Sequence, residues 1–122
     1  MDTHALLWAV SEPRRLPPAV AEQVSDASVL VYASAASAWE IAIKAALGKL
    51  TADARVLARG IHDAGFTELP VTIAHASRLR DLPPLHRDPF DRLLVAQALD
   101  EGLTIVTHDA FIARYPVPTL WG

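Results

Sequence analysis

Residues 86–102, HRDPFDRLLVAQALDEG, and the LTIVT that follows at 103–107 decide the fold class. The first block reads as one helix. Asp88 stands where an N-cap belongs, Pro89 at the first helical position, and Asp91 three residues after the cap. Leu94, Val95, Ala98 and Leu99 recur at helical spacing and predict an apolar face. Gly102 predicts the stop, and LTIVT predicts a buried strand directly after it. Two carboxylates on the first turn of a core helix are either capping groups or metal ligands, and the choice between them decides the function.

The same alternation continues on both sides. HALLWAV (4–10) predicts a helix capped by Asp2 or Thr3, with Leu6, Leu7 and Val10 on its apolar face. A proline-rich break at 11–18 leads into a second helix, PAVAEQVSDA (18–27). SVLVY (28–32) is continuous and β-branched, which predicts a buried strand. SAASAWEIAIKAALGKL (34–50) predicts a helix with Trp39, Ile43 and Leu47 near one side and Gly48 at its end; Ser37 and Glu40 match the S-x-x-E capping box. DARVLARGIHDAG (53–65) predicts a helix ended by Gly65. FTELPV (66–71) is a short strand or extended connection, and TIAHASRLRDL (72–82) a helix stopped by Pro83 and Pro84. HDAFIARY (108–115) predicts a short helix, and PVPTLW (116–121) leaves room for an edge strand. Strands that alternate with helices predict an α/β fold, with a parallel sheet covered on both faces.

Composition narrows the function. The 122 residues suit one domain, and 52% hydrophobic content is enough for a core. A net charge of -3 gives no basic footprint for passive nucleic-acid binding, though an enzyme meeting nucleic acid through metal ions remains compatible with it. The chain has no cysteine, which excludes disulfides, thiolate zinc sites and cysteine nucleophiles. No apolar run approaches a membrane span, and no signal-peptide pattern opens the chain, so cytoplasm is the default expectation.

In parallel α/β sheets ligands gather beyond the carboxyl ends of the strands. Four acids sit at such places: Asp2 before the first helix, Glu40 soon after SVLVY, Asp91 on the first turn of the 86–102 helix, and Asp109 directly after LTIVT. Carboxylates brought together repel one another and raise one another's pKa unless a cation neutralises them. An all-oxygen set suits Mg²⁺ or Mn²⁺, which can activate water and stabilise an in-line phosphoryl displacement. For any one of these acids taken alone, capping and the helix dipole are the commoner explanation, and Asp88 keeps the capping role. The five histidines show no paired zinc spacing. Ser34 and Ser37 read as caps, there is no G-x-S-x-G elbow, and there is no phosphate-binding glycine loop. Lys44, four residues after Glu40, is placed for a helical ion pair. Arg87 and Arg92 flank the Asp88/Asp91 turn as solvated charges, partners of the acids or contacts for RNA phosphates. Trp8, Trp39 and Trp121 read as core or interface residues.

DTHALLWAV, ASAWEIAIKAALGKL, LPVTIAHASRLRDLPPLHRDPFDRLLVAQAL and LTIVTHDAFIARY together resemble the PIN-domain ribonuclease toxins of the VapC type, in the branch marked by WEIAIK and HRDPFDR. The resemblance covers nearly the whole chain. It implies a three-layer α/β/α fold with a central parallel sheet and a Mg²⁺- or Mn²⁺-dependent endoribonuclease, the toxin of a type II toxin–antitoxin system. The acids it implies are Asp2, Glu40, Asp91 and Asp109, with Asp2 and Asp91 as direct metal ligands and Glu40 and Asp109 completing the site. Thr107, beside the fourth acid, and Thr3 are the supporting polar residues, and Lys44, Arg87 and Arg92 the RNA contacts. The implied partners are the RNA substrate, a cognate antitoxin protein whose segment occupies the acidic cleft, and a second copy in a homodimer; no membrane is involved. Two other roles stay open: a catalytically impaired PIN-like domain that titrates antitoxin, and a PIN nuclease of RNA processing without toxin action.

One departure from the family pattern carries an expectation. A hydrophobic first strand normally leads into the DTH acid, and here only Met1 precedes Asp2. Residues 1–122 are therefore expected to form a single PIN domain that lacks the first strand, through N-terminal truncation or a start upstream of Met1, and its neighbours' ladder groups are expected to be left unpaired.

Overall fold

A computed structural model describes residues 1–51 and 54–122. Helix α1 (Thr3–Ser11) starts at Asp2, whose Oδ1 accepts from the Ala5 amide at 2.9 Å. After a 3₁₀ turn at Pro13–Arg15 come α2 (Pro18–Ser25), β1 (Tyr32–Ser34) and α3 (Ala35–Ala46). Then follow α4 (Ala54–Asp63), β2 (Thr67–Leu69), α5 (Ile73–Arg78), α6 (Pro89–Glu101), β3 (Ile105–Val106) and β4 (Thr119–Leu120). The Asp53 start expected for the fourth helix lies outside the described residues.

Helix α6 runs through the interior. Leu93 to Ala98 are all buried, so burial continues around the helix rather than along the single stripe expected. Asp88 caps it, accepting from the Phe90 and Asp91 amides at 2.8 and 3.1 Å, and Gly102 ends it in the left-handed conformation at φ 68°. Val95 and Ala98 pack with Ile105, Ile112, Tyr115 and Val117 into one core cluster; Leu93 and Leu94 pack with Ala36 into a second. Helices α1, α3 and α4 pack against one another, and α6 packs against α3 and α5.

Gln97 ties this helix to the strands. Its amide oxygen accepts from Ser34 Oγ at 2.5 Å, and its nitrogen lies 3.3 Å from the Pro70 carbonyl and 3.4 Å from His75 Nδ1. A buried amide held this way satisfies its own donors and acceptors and fixes β1 and the end of β2 against α6. Ser34 also accepts from the Ala36 amide at 3.1 Å and so caps α3.

The strands are parallel but do not form one sheet. β1 pairs with β2, with Tyr32 opposite Thr67, and β3 pairs with β4, with Ile105 opposite Thr119. Between the two pairs lies a cleft of about 550 Å³, lined among others by Leu30, Tyr32, Leu94, Ala98, Thr104 and Val106. Residues 1 and 2 close one end of it. The Asp2 amide donates to the Val106 carbonyl at 2.9 Å, and the Met1 amino group lies 3.5 Å from the Tyr32 carbonyl. The chain thus enters α1 from between β1 and β3, which sets Asp2 at the carboxyl ends of both.

The structure departs from the sequence pattern in several elements. SVLVY is not a buried strand: Val29 and Leu30 are 36% and 62% exposed, and the strand begins only at Tyr32. Val29 and Leu30 border the open cleft, and no strand among the described residues covers them. LTIVT contributes a strand at Ile105–Val106 only. Ser37 and Glu40 do not form a capping box, because the cap is one turn earlier at Ser34. Trp39 and Leu47 face outward, 59% and 65% exposed, while Ala36, Ser37, Glu40 and Ile41 are buried. Residues 108–115 hold a single 3₁₀ turn at Ile112–Arg114 instead of an α-helix, and 72–82 divides into α5 and a 3₁₀ turn at Leu79–Asp81.

Candidate metal centre

Asp2, Glu40, Asp91 and Asp109 come from four separate stretches of chain and line one pocket of about 440 Å³. Each is held by a local reason. Asp2 caps α1 with Oδ1, and its Oδ2 accepts from the Thr107 hydroxyl. Thr107, directly after β3, also accepts from the Asp109 amide at 2.9 Å, so one hydroxyl links two of the acids. Asp109 Oδ1 in turn accepts from the amides of Phe111 and Ile112 at 2.7 and 3.1 Å, which folds the loop after β3 into a turn. Glu40 sits within α3, 3% exposed. Thr3 donates to its Oε1 at 2.6 Å and lies 3.1 Å from Ser37 Oγ, while Lys44 contacts Oε2 at 2.5 Å.

Asp91 is the third residue of α6, one turn below the Asp88 cap. Its Oδ2 meets His86 Nε2 at 2.9 Å, and the same nitrogen lies 3.9 Å from Asp109 Oδ1. His86 itself stacks on Phe111, with ring centroids 5.1 Å apart. Burial, followed by the neighbouring Asp88 charge, pushes the Asp91 carboxyl up from 3.8 to about 7; the Glu40 charge adds to this and His86 opposes it. The Lys44 ammonium is held above its ordinary value by Glu40.

The donor set fits a hard divalent cation. It is rich in carboxylate oxygen, lacks thiolate, and contains a carboxyl that repulsion and burial leave half-protonated near neutrality. Ligand atoms of His86, Asp91 and Asp109 lie within 4.8 Å of one another. A second cluster, His75, Asp100 and Glu101, sits at the far end of α6. There His75 Nδ1 accepts from the Thr72 amide at 3.1 Å and Nε2 meets Glu101 at 2.8 Å, so both ring nitrogens already serve the fold.

Thr3 and Thr107 therefore stand beside the acids, and Lys44 lines the pocket. Arg87 is exposed outside the pocket lining. Arg92 turns away: its Nη2 lies 3.4 and 3.3 Å from the carbonyls of Leu79 and Leu82. The sequence carries no clear signal for the roles of His86 and Ser37. His86 had only its closeness to Asp91 to mark it, and Ser37 matched a cap pattern equally well.

Residues 1–118 match the PIN domain family. The chain belongs to the PIN-domain family, of the VapC type. It is 32% identical over 130 residues to Ribonuclease VapC22 of Mycobacterium tuberculosis, an alignment that covers 99% of this chain and 96% of that protein. In this PIN domain the acidic pocket thus lies at the carboxyl ends of β1 and β3, where a parallel α/β fold places its ligands. No helix among the described residues is long and apolar enough to cross a membrane.

Proposed function

We propose that this PIN domain is a Mg²⁺- or Mn²⁺-dependent endoribonuclease that hydrolyses RNA phosphodiester bonds as the toxin of a type II toxin–antitoxin system. The observation that carries the proposal is the convergence of Asp2, Glu40, Asp91 and Asp109 on one pocket; the name of the mycobacterial relative, a ribonuclease, supports the reaction class. Asp2 and Asp91 would hold the cation directly, and Glu40 and Asp109 would complete the site. When bound, the cation supplies Lewis-acid stabilisation of the phosphoryl oxygens and lowers the pKa of water.

The chain's own residues do the rest. Thr107 holds the Asp2 and Asp109 sides of the pocket at fixed separation, and His86 orients the Asp91 carboxylate by occupying Oδ2. Thr3 and Lys44 hold Glu40 from its two oxygens. Lys44 and Arg87 are the cations offered to RNA phosphates; Arg92, engaged by two carbonyls, supports the fold instead. A cognate antitoxin would cover the pocket, and the exposed Trp39 and Leu47 on α3 favour a homodimer contact.

RNA incubated with the purified protein and Mn²⁺ should be cut, and EDTA should stop the reaction. Asp91→Asn should abolish cleavage while the protein stays folded; cleavage at the parent rate would refute the assignment. Growth arrest on expression, relieved by a neighbouring antitoxin gene, tests the toxin role separately.

A further inference from the structure

We infer that a set of aromatic rings on the rim of the acidic pocket is a stacking site for an unpaired RNA base beside the phosphodiester to be cut. The identity of the ligand rests on the ribonuclease reading above; the site rests on its own geometry. His108 and Trp121 both line the pocket. Their rings are 12° from parallel with centroids 5.3 Å apart, so they form a short stacked column. Trp8 lies 5.8 Å from Trp121, and the Arg15 guanidinium sits 5.0 Å from the Trp8 ring centre.

These rings are not interior packing. Trp8 and Trp121 are half-buried, and His108 and Arg15 are exposed. Their supports are shared with the acids. Trp8 rides on α1, whose cap is Asp2, and His108 immediately precedes Asp109. His108 and Trp121 line the acidic pocket, so a base stacked on the exposed His108 ring would lie beside the acids.

Without a bound cation the pocket acids repel a phosphate backbone, so a contact that does not depend on charge helps to hold RNA there. Stacking is indifferent to that charge, because every base presents a π-face, and each stacked base contributes substantially to affinity. Arg15 over Trp8 adds one cation at the edge of the column. Duplex bases already have both faces covered, so the ligand class is single-stranded RNA.

The test measures binding of a short labelled single-stranded RNA in EDTA, where no cleavage occurs. His108→Ala and Trp121→Ala should each weaken binding about tenfold. His108→Phe keeps a flat ring and should bind as the parent does. An RNA with an abasic position should lose about the same factor with the parent, and nothing further with His108→Ala. Circular dichroism melting checks the fold, and exposed His108 keeps the test valid if Trp121→Ala unfolds. Equal binding by the parent and His108→Ala, or duplex RNA bound as tightly as single-stranded RNA, overturns the site. The two readings fail separately. Ring-dependent RNA binding without cleavage in Mn²⁺ removes the ribonuclease and keeps the stacking site. Cleavage with binding unchanged in His108→Ala keeps the ribonuclease and removes the stacking site.

Discussion

The Thr107 hydroxyl donates to Asp2 Oδ2 and joins the loop after β3 to the cap of α1, residues 105 apart in sequence. The same oxygen accepts from the Asp109 amide. With both its donor and its acceptor capacity used, Thr107 sets the relative position of two pocket acids and pins the entry of the chain between β1 and β3.

Thr107→Val keeps the shape and removes that hydroxyl. It leaves a buried carboxylate oxygen and an amide without their partner, and should cost about 1–3 kcal/mol of stability in urea unfolding. Thr107→Ser restores the hydroxyl and should recover most of the loss. Cleavage by Thr107→Val should fall more than its stability alone explains, measured at a temperature where both variants are folded.

Local chemistry made much of this site legible from the chain. Asp88, Pro89 and Gly102 mark the ends of α6 by signals that act within a few residues, and Asp2 caps α1 for the same reason. The set of four acids was found through their places after strands and at helix starts, and they do line one pocket. Non-local facts were not legible. SVLVY has the composition of a buried strand, but burial depends on what lies beside it, and beside it is the cleft. The S-x-x-E spacing of Ser37 and Glu40 occurs at a cap or one turn inside a helix; Ser34 is the cap because it accepts from the Ala36 amide, and its bond to Gln97 of α6 fixes it there. His86 bridges toward Asp109, and Trp8 meets Trp121, across separations that leave no sequence period.

The Asp91 carboxyl predicts an inverted pH dependence. Its folded value is raised from 3.8 to about 7 by burial first, then by the Asp88 charge. The folded state therefore holds a proton that the unfolded chain has released over roughly pH 4–7. Stability falls as pH rises through this window, and the full penalty stands above about pH 7. Melting in EDTA should show the parent losing more stability than Asp91→Asn between pH 5 and pH 8. Mn²⁺ should reverse the loss in the parent, most strongly at pH 8, where no proton has to leave. Identical pH profiles for the two proteins would remove Asp91 as the cause.

The cleft should be visible in hydrogen exchange. The Val31 carbonyl accepts from Thr67 on the β2 side, so by strand alternation the backbone of Tyr32 faces the cleft. Ile105 and Thr107 donate toward the β4 strand, which turns Val106 to the cleft in the same way. The amides of Tyr32 and Val106 should therefore exchange orders of magnitude faster than that of Val95 in α6. Protection of Tyr32 equal to that of Val95 would mean that the two sheet halves are joined in solution.

Gln97 offers the sharpest test of how α6 carries the site. It is 1% exposed and joins Ser34, Pro70 and His75 through its side-chain amide. Gln97→Leu fills the same space, but leaves the Ser34 hydroxyl proton without its acceptor and the Pro70 carbonyl without this donor, while Ser34 still accepts from the Ala36 amide. Each orphaned group costs about 1–3 kcal/mol, so the variant should lose at least that much in denaturant unfolding. Gln97→Glu keeps the Ser34 contact but replaces a donor by an acceptor opposite the Pro70 carbonyl, and should be worse still unless it takes up a proton. The pocket consequence follows from the chain path. Ser34 caps α3, and Glu40 rides on α3, so a displaced cap shifts Glu40 against Thr3 and Lys44. Gln97→Leu should therefore weaken Mn²⁺ binding as well as stability, although residue 97 lines the cleft and not the acidic pocket. Lost stability with unchanged Mn²⁺ affinity would show that the cap of α3 and the position of Glu40 are independent.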